Sequence, residues 1–189
     1  MKTNGSFCYK IYKLIKLVMT NLFVIEGQDR AGKDTLLHDL EKIGLTIFSP
    51  DTGYLPNYHN ADEFRAALKL YLEKQTNDMI NLNVKDLYIA RYQLSEYVYA
   101  DLFNRPNLFE DYINNILKGH FKIKNIILLW DTYQDYLDRL KMINDDYIEY
   151  NEDDFNKIKN LYLKHKQPED VVIYVKSNTT REDLMTKAK

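Results

Sequence analysis

The chain is poor in several residue types, and each shortage excludes a class of protein. Among 189 residues there is one cysteine, Cys8, which excludes an internal disulfide framework and a cysteine-rich zinc site. The formal net charge is only −2, from 26 basic and 28 acidic residues, so no global positive field recruits a nucleic acid polymer or an anionic membrane. The scarcity of cysteine is typical of a reducing compartment, and we expect a cytoplasmic protein.

Residues 1–18 differ from the rest of the chain. Residues 9–18 carry a lysine at every third position among apolar residues, so a helix here would be basic and amphipathic. The segment is too short and too charged to span a bilayer, and it lacks the apolar core and the cleavage site of a signal peptide. An interfacial anchor and a plain extension both fit. The extension is favoured, with the folded domain over residues 19–189 and no membrane expected.

Glycine is also scarce, with six in the chain, and two of the six bound one short loop. Residues 22–25 before this loop read as a buried strand, and the residues from Lys33 onward open an amphipathic helix. Strand, loop and helix in this order allow loop N–H groups and the helix N-terminus to face one anion, with the lysine neutralising outer phosphates. We therefore predict an ATP-binding loop made of Gly27, Gln28, Asp29, Arg30, Ala31, Gly32, Lys33, Asp34 and Thr35.

One position of this loop departs from the usual pattern. A phosphate-binding loop normally has a serine or threonine after its lysine, and that hydroxyl ligates Mg²⁺. Here Asp34 stands in the hydroxyl position, and Thr35 follows one residue late. An aspartate can hold the ion through water and a threonine can supply the hydroxyl, so both residues are candidate Mg²⁺ ligands.

Strands and helices alternate beyond the loop. The predicted strands cover residues 22–25, 45–48, 86–90, 123–130 and 171–175. Helices are predicted from residue 33, over residues 61–74, 91–103, 108–117, 133–142 and 155–165, and from about residue 181. Apolar strands that alternate with helices indicate a parallel sheet covered on both faces. The expected fold is α/β, a three-layer P-loop NTPase with a five-stranded parallel sheet and a lid segment.

The loop from Gly27 to Lys33 resembles the P-loop of thymidylate kinases and, more broadly, of deoxynucleoside and deoxynucleoside monophosphate kinases. Its Asp-Arg pair resembles the eukaryotic and viral type of thymidylate kinase, and its Lys-Asp-Thr ending resembles phage-type deoxynucleotide kinases. The resemblance implies that Arg30 stabilises the transferring phosphoryl group and that Asp29 lies near the acceptor sugar. An arginine there suits a spread anionic transition state.

A second segment is similar to the same family. Arg91 and Tyr92 follow a predicted strand, at the edge where open α/β sheets bind ligands, and correspond to the family's Asp-Arg-Tyr segment. The resemblance implies that Arg91 clamps the donor and acceptor phosphates and that Tyr92, Ser95 and Tyr99 lie on the acceptor side. The family's aspartate is replaced by Ala90, which removes a carboxylate that supports the metal.

The acceptor side shows a further departure. Phe48, at the end of the second predicted strand, loosely matches the family's Phe-Pro segment. It is either a contact to the acceptor or a plain core residue. In the family an arginine follows closely and grips the acceptor phosphate. Here the next arginine is Arg65, within a predicted helix. This absence raises the case for a deoxynucleoside acceptor.

The acidic segment of residues 143–154 resembles the family's lid. It contains no arginine, which agrees with Arg30 taking the role that a lid arginine has in another type of the family. Arg139 precedes the lid, where the family approaches adenine. Asp131 follows an apolar strand and fits either a metal-supporting carboxylate or the N-cap of the next helix, which is the favoured reading.

These features predict a kinase that transfers the ATP γ-phosphoryl group to a deoxynucleoside monophosphate, with dTMP as the family-implied acceptor and Mg²⁺ as cofactor. Lys33, Arg30 and Arg91 are the predicted catalytic residues. A deoxynucleoside kinase and a non-catalytic nucleotide-binding relative are the alternatives. The non-catalytic relative is considered because Asp34 and Ala90 both depart from the family's pattern at positions that support the metal ion. Kinases of this kind are often homodimers, and the resemblance carries that expectation.

Overall fold

The computed structural model describes residues 19–49, 61–107, 117–143 and 150–188. Within them the named strands are β1 (Thr20–Gly27), β2 (Asp86–Ala90), β3 (Phe121–Trp130) and β4 (Val171–Val175). The helices of eight or more residues are α1 (Lys33–Lys42), α2 (Ala61–Asn81), α3 (Gln93–Leu102), α4 (Tyr133–Met142), α5 (Glu152–His165) and α6 (Arg181–Ala188). The strands form one parallel sheet in the order β2-β1-β3-β4.

Helices cover both faces of this sheet. On one face, α2 packs against β1 and β2, and α3 and α5 pack together against β3. On the other face, α1, α4 and α6 share a core cluster with residues of β1, β3 and β4. Because the central strands are buried on both sides, they are apolar almost throughout, and Ile126–Trp130 of β3 is fully buried. The three layers and the parallel pairing confirm the α/β expectation.

The expected number of strands is wrong for the described part of the chain, which holds four named strands. Residues 45–48, predicted as the second strand, form only an isolated parallel bridge between Ile47 and Tyr88. Two backbone hydrogen bonds support it, from Phe48 N to Tyr88 O at 2.7 Å and from Tyr88 N to Thr46 O at 3.0 Å. The run is short and half-exposed and lies at the outer edge of β2, so few backbone groups can pair there.

Several helix boundaries differ from the predicted ones. Helix α2 continues to Asn81 because Gln75, Thr76 and Met79 extend its buried face. Helix α3 starts at Gln93 rather than residue 91, because Arg91 has a left-handed φ of 51° that cannot belong to a helix. Helix α5 starts at Glu152, where the Asn151 side chain accepts a hydrogen bond from Asp154 N, so residues 152–154 of the expected lid are helical.

Some predictions lie outside the described residues. These are the extension of residues 1–18, the lid over residues 144–149 and most of the predicted helix over residues 108–117. Residues 117–120 are helical, and Gly119 lies among them. No helix in the described part is both long enough and apolar enough to cross a membrane.

Candidate functional site

The site lies at the carboxyl edge of β1 and β2. Ile25 and Ala90 are register partners in these parallel strands, so the segments that follow each strand leave the sheet side by side. Arg91 N also donates to Ile25 O at 3.0 Å. The pairing brings together the two motifs that the sequence places about 60 residues apart, the phosphate-binding loop and Arg91. This edge is where open α/β sheets bind ligands.

Two glycines shape the loop. Gly27 has a φ of 125°, and a Cβ atom built there would lie 2.0 Å from the carbonyl oxygen of Leu128, so only glycine fits beside β3. Gly32, with a φ of 93°, is the N-cap of α1, and no side chain caps this helix. The loop therefore turns sharply into the helix and directs its N-terminal N–H groups to an incoming anion.

Lys33 lies inside this loop. Its side chain is only 5% exposed, and Nζ donates to Gly27 O at 2.9 Å and to Gln28 O at 2.6 Å. The same nitrogen lies 3.8 Å from Oδ1 of Asp29. The backbone carbonyls hold the ammonium group at the centre of the loop, where its positive charge would face an anion that the loop bound.

Asp29 joins several parts of the site. Its carboxylate accepts hydrogen bonds from the guanidinium of Arg91 and, at 2.5 Å, from the hydroxyl of Tyr150. Its backbone oxygen accepts a bond of 3.0 Å from the indole N–H of Trp130 at the end of β3. Asp29 therefore joins the loop to three other segments of the chain. Tyr150 and Trp130 were not among the predicted site residues.

The side chain of Gln28 has a structural role. It is 2% exposed, and its Nε2 donates to Phe155 O at 3.0 Å while its Oε1 accepts from Trp130 N at 3.0 Å. These bonds tie the loop to β3 and to the first turns of α5. The structure thus directs the Gln28 side chain to the interior, and only its backbone faces the loop.

Glu26, immediately before the loop, is completely buried. Its carboxylate accepts hydrogen bonds from Tyr92 N at 2.9 Å, from Ser95 N at 3.3 Å and from the Ser95 hydroxyl. Burial raises the pKa of Glu26, although these hydrogen bonds act in the opposite direction. Glu26 was not among the predicted site residues. The signal was a carboxylate within an otherwise apolar strand.

A tyrosine hydroxyl extends this buried network to the loop. Tyr162 of α5 donates to Gly27 O at 3.2 Å, and its hydroxyl lies 3.1 Å from the Ser95 hydroxyl. Burial raises the pKa of Tyr162, with the nearby Glu26 carboxylate as a further cause, so the phenol stays protonated and can donate. The network connects the first turn of α3 with the loop.

The predicted acceptor residues divide into two groups. Asp29 and Arg91 line the cavity of the site. Tyr92 is 4% exposed, with its hydroxyl 2.6 Å from Thr76 Oγ1, and Ser95 faces Glu26, so both side chains lie in the interior. Tyr99 is half-buried with its ring stacked on Phe103, and Phe48 packs against the core cluster that contains α2 and β2.

The cavity above the loop has a volume of about 340 Å³. Its lining includes four cationic side chains and two carboxylates, together with Gly32, Thr35 and Ile143. The six charged residues are Arg30, Lys33, Arg91, Arg139, Asp29 and Asp34. The excess of positive charge, next to a helix N-terminus, suits a polyanionic ligand such as a nucleotide phosphate chain.

A smaller cavity of about 70 Å³ adjoins the first and shares Arg30, Gly32, Thr35 and Arg139 with it. The loop after β4 forms its far side. Asp135 of α4 accepts from Ser177 N at 3.0 Å and from Ser177 Oγ at 3.3 Å, which holds this loop against α4. A hydrogen bond from Thr132 is the main reason that the pKa of Asp135 is lowered.

The candidate metal ligands also line the larger cavity. Asp34 is exposed and Thr35 half-buried in the first turn of α1, and hard oxygen donors of this kind suit Mg²⁺, which takes few protein ligands beside substrate phosphates. In the described ranges no cluster of three or more His, Cys, Asp or Glu side chains could hold a metal by itself. The donor set therefore fits an ion that arrives with a nucleotide.

Asp131 does not belong to this site. Its carboxylate lies 3.6 Å from Lys176 Nζ. The expectation that it caps α4 is wrong, because the N-cap is Thr132, whose side chain accepts from Asp135 N at 3.1 Å. Thr132, the residue after Asp131, has the extended backbone conformation that an N-cap requires.

No family model matches the sequence, and no curated protein matches it. Solved structures do match, over most of the chain. Thymidylate kinase from Candida albicans has a TM-score of 0.56 and 18% identity, covering 89% of both chains. The YorR protein from Bacillus subtilis, in complex with phosphorylated GDP, has a TM-score of 0.56 and 18% identity, covering 88% of this chain and 92% of that chain.

Deoxyadenosine kinase from M. mycoides, with bound dCTP, has a TM-score of 0.51 and 17% identity, covering 87% of this chain and 95% of that chain. At such identities the likeness shows the fold, an α/β P-loop kinase-like fold with a parallel sheet. The resemblance to thymidylate and deoxynucleoside kinases, which the loop sequence carries, is confirmed at the level of fold.

Proposed function

We propose that the protein transfers the γ-phosphoryl group of ATP to a deoxynucleoside monophosphate, with dTMP as the acceptor that the sequence resemblance implies. The observation that carries the proposal is the convergence of Arg30, Lys33, Arg91 and Arg139 on one cavity above a glycine-bounded loop. Phosphoryl transfer depends on positioning and charge stabilisation, and it requires no activated protein nucleophile. A cationic cavity beside a helix N-terminus supplies both.

Lys33 and the loop backbone hold the donor phosphates. The lysine is already directed into the loop by Gly27 O and Gln28 O, so phosphate binding requires only a short movement of a flexible ammonium group. Its compact positive charge suits the outer phosphates, while the N–H groups of the loop and of the first turn of α1 contact the remaining oxygens.

Arg30 and Arg91 approach the transferring group from two sides. Arg30 stands in the loop with a left-handed φ of 60° and lines both cavities, and Arg91 comes from the end of β2. In the transition state negative charge spreads over three phosphoryl oxygens, and guanidinium groups match that distribution with several parallel donors. Asp29 orients Arg91 by accepting its hydrogen bond.

Mg²⁺ would be held by Asp34 and Thr35 together with phosphate oxygens, and it would neutralise charge that develops between the donor's outer phosphates. Arg139 and the loop after β4 would enclose the adenine at the smaller cavity, where the planar guanidinium can stack on a base. The acceptor would lie on the Asp29 side, where the Tyr150 hydroxyl adds a polar contact.

A deoxynucleoside kinase is the second candidate. One observation favours it, the lack of an arginine in the sequence between Phe48 and Arg65, where the resembled monophosphate kinases grip the acceptor phosphate. A nucleoside acceptor carries no phosphate and requires no such grip. Both candidates share the donor site, so they differ only in the acceptor.

Steady-state ATP consumption with dTMP, the other deoxynucleoside monophosphates and the four deoxynucleosides tests these candidates. We expect turnover with dTMP that is lost in Lys33→Ala. The matched control is Lys42→Ala at the exposed end of the same helix, which should retain wild-type turnover. Turnover only with deoxynucleosides selects the second candidate. ATP binding without turnover of any acceptor contradicts both and selects the non-catalytic relative.

Homodimer formation and a cytoplasmic location complete the proposal. The homodimer follows from the family resemblance. The cytoplasmic location follows from the cysteine usage. Sedimentation equilibrium of the purified chain and imaging of the tagged chain in its native cell would check them.

A further inference from the structure

We infer that Glu26 is a positioning residue for Arg91. Its carboxylate, at the end of β1, caps the N-terminus of α3 and holds the turn that presents Arg91 to the phosphate cavity. This inference rests on the proposed phosphoryl transfer. It assigns Glu26 a role that involves neither proton transfer nor contact with a substrate.

Helix α3 lacks an ordinary cap. Its N-cap residue is Tyr92, whose side chain makes no capping hydrogen bond. Glu26 Oε1 instead accepts from Tyr92 N at 2.9 Å and from Ser95 N at 3.3 Å, and the Ser95 hydroxyl donates to the other oxygen. The first N–H groups of a helix have no partner within it, and a carboxylate beside them also interacts favourably with the helix dipole. A strand residue 66 positions earlier therefore performs the capping.

The cap bears directly on the conformation of Arg91. This residue has a φ of 51°, a left-handed conformation that is unfavourable for arginine unless its surroundings impose it. Two consecutive amides are held by two consecutive residues of β1. Arg91 N donates to Ile25 O at 3.0 Å, and Tyr92 N donates to Glu26. With both amides held, the chain leaves the sheet in one direction, and the Arg91 guanidinium reaches Asp29.

Glu26 itself does not reach the cavity. It is completely buried and does not line the space above the loop, whereas Arg91 does. A buried carboxylate is unfavourable unless hydrogen bonds compensate it. Glu26 accepts three such bonds, one from Tyr92 and two from Ser95. Its direct hydrogen bonds therefore link Glu26 to the turn that carries Arg91 and not to the cavity.

The test compares two substitutions of Glu26 in the full chain. Glu26→Gln keeps an oxygen that can accept from Tyr92 N, whereas Glu26→Ala removes every acceptor. We expect kcat to fall about 50-fold in Glu26→Ala and to stay within about fivefold of wild type in Glu26→Gln. A residue that acts as proton acceptor cannot be replaced by glutamine, so an equally inactive Glu26→Gln would overturn the inference.

The matched control is Glu96→Gln, the same chemical change on the first turn of α3. Glu96 pairs with Arg105, at 2.8 Å between Nη2 and Oε2. We expect its kcat to stay within about twofold of wild type. A loss like that of Glu26→Ala would show that any disturbance of α3 is sufficient, which contradicts a specific role of Glu26.

A double-mutant cycle separates action through Arg91 from a general effect. In an Arg91→Ala background, Glu26→Ala should change kcat by less than about threefold, because the group it positions is already gone. Full additivity of the two losses would overturn the inference. If Glu26→Ala does not fold, Ser95→Ala replaces it in the cycle, with a smaller expected loss of about fivefold that also vanishes in the Arg91→Ala background.

Amide hydrogen exchange tests the cap without any turnover. The N–H groups of Tyr92 and Ser95 should exchange about tenfold faster or more in Glu26→Ala, and within about threefold of wild type in Glu26→Gln. Fast exchange of both groups in the wild type would overturn the inference. If the protein turns over no acceptor but the exchange results hold, the proposed function fails while the positioning of Arg91 by Glu26 stands.

Discussion

The guanidinium of Arg91 donates a hydrogen bond to the carboxylate of Asp29, although 62 positions separate the two residues in the sequence. The second carboxylate oxygen accepts from the Tyr150 hydroxyl, and the ammonium of Lys33 lies 3.8 Å from the first. One acidic side chain thus arranges two cations and a phenol around the cavity. A site in which the donors are already oriented loses little entropy when an anion binds.

Tyr150→Phe tests the acceptor side of this arrangement. The change removes one hydrogen bond to Asp29 and leaves the Arg91 pair in place, so kcat/KM for the acceptor should fall about tenfold while KM for ATP changes less than about twofold. Tyr174→Phe, a change on the partly exposed end strand β4, is the matched control and should have no effect. Equal losses on the ATP and acceptor sides would contradict the placement of the acceptor beside Tyr150.

Arg30 and Arg139 line the same cavities but should differ in kinetics. Arg30→Ala is expected to lower kcat about 1,000-fold with little change in KM for ATP, because the guanidinium acts on charge that forms only in the transition state. Arg139→Ala should mainly raise KM for ATP, about tenfold, because a base contact is made equally in the ground state. Initial-rate kinetics with varied ATP provide the measurement. A pure KM effect in Arg30→Ala would show that it only binds the donor.

Asp34→Ala examines the metal side of the loop. If Asp34 helps to hold Mg²⁺, the concentration of Mg²⁺ that gives half-maximal activity should rise about tenfold at saturating ATP. Glu41→Ala removes a carboxylate from the exposed far end of the same helix, where the side chain is 66% exposed, and should leave the Mg²⁺ requirement unchanged. If Asp34→Ala leaves the Mg²⁺ requirement unchanged like this control, Thr35 and the phosphate oxygens are sufficient to hold the ion.

Gly27→Ala should destabilise the protein by more than about 3 kcal/mol, because the added Cβ would meet the Leu128 carbonyl at 2.0 Å in a fully packed part of the sheet. Gly44→Ala serves as the control, since Gly44 also has a positive φ, of 88°, but nothing lies within 4 Å of its Cβ position. That change should cost only about 1 kcal/mol, from backbone strain alone. Urea denaturation of both variants measures the difference, and similar costs would contradict the close approach of Gly27 to β3.

The buried carboxyl of Glu26 should make stability depend on pH. Burial raises its pKa above the usual value of 4.5, so the unfolded chain ionises at lower pH than the native state. Stability contributed by the protonated form is complete below about pH 4.5 and is lost as the pH rises through the native-state pKa. Glu26→Gln cannot ionise. Its free energy of unfolding relative to wild type should therefore increase as the pH rises above about 4.5.

Urea denaturation of Glu26→Gln at several pH values checks the sign of this effect. Glu96→Gln provides a control of opposite direction, because it breaks the ion pair with Arg105 and should be less stable than wild type at about pH 8. A relative stability of Glu26→Gln that decreases with pH would show that hydrogen bonds outweigh burial at this carboxyl. In that case Glu26 would be stabilising as an anion.

Features that depend on a few neighbouring residues could be predicted from the sequence. The glycine-bounded loop, the start of α1 at Lys33 and the bounds of α4 and β4 follow from residue types and from apolar periodicity, which depend on near neighbours. The loop lysine and the two arginines were predicted in this way, and the structure brings them to one cavity. The predicted edge strand over residues 45–48 was wrong because pairing at an edge depends on what lies beside it, which the strand's own sequence does not contain.

The amino-acid sequence by itself therefore determined the phosphate-binding loop, the alternation of strands and helices, and the candidate cations, since each is encoded in a few consecutive residues. Only the tertiary structure decided which polar side chains serve the loop from within. Glu26 meets Ser95 across 69 positions, and Gln28 meets Phe155 across 127. Such bonds form because a buried polar group needs a hydrogen-bond partner, and the packing of the layers decides which group lies beside it. The local sequence around one residue does not identify that partner.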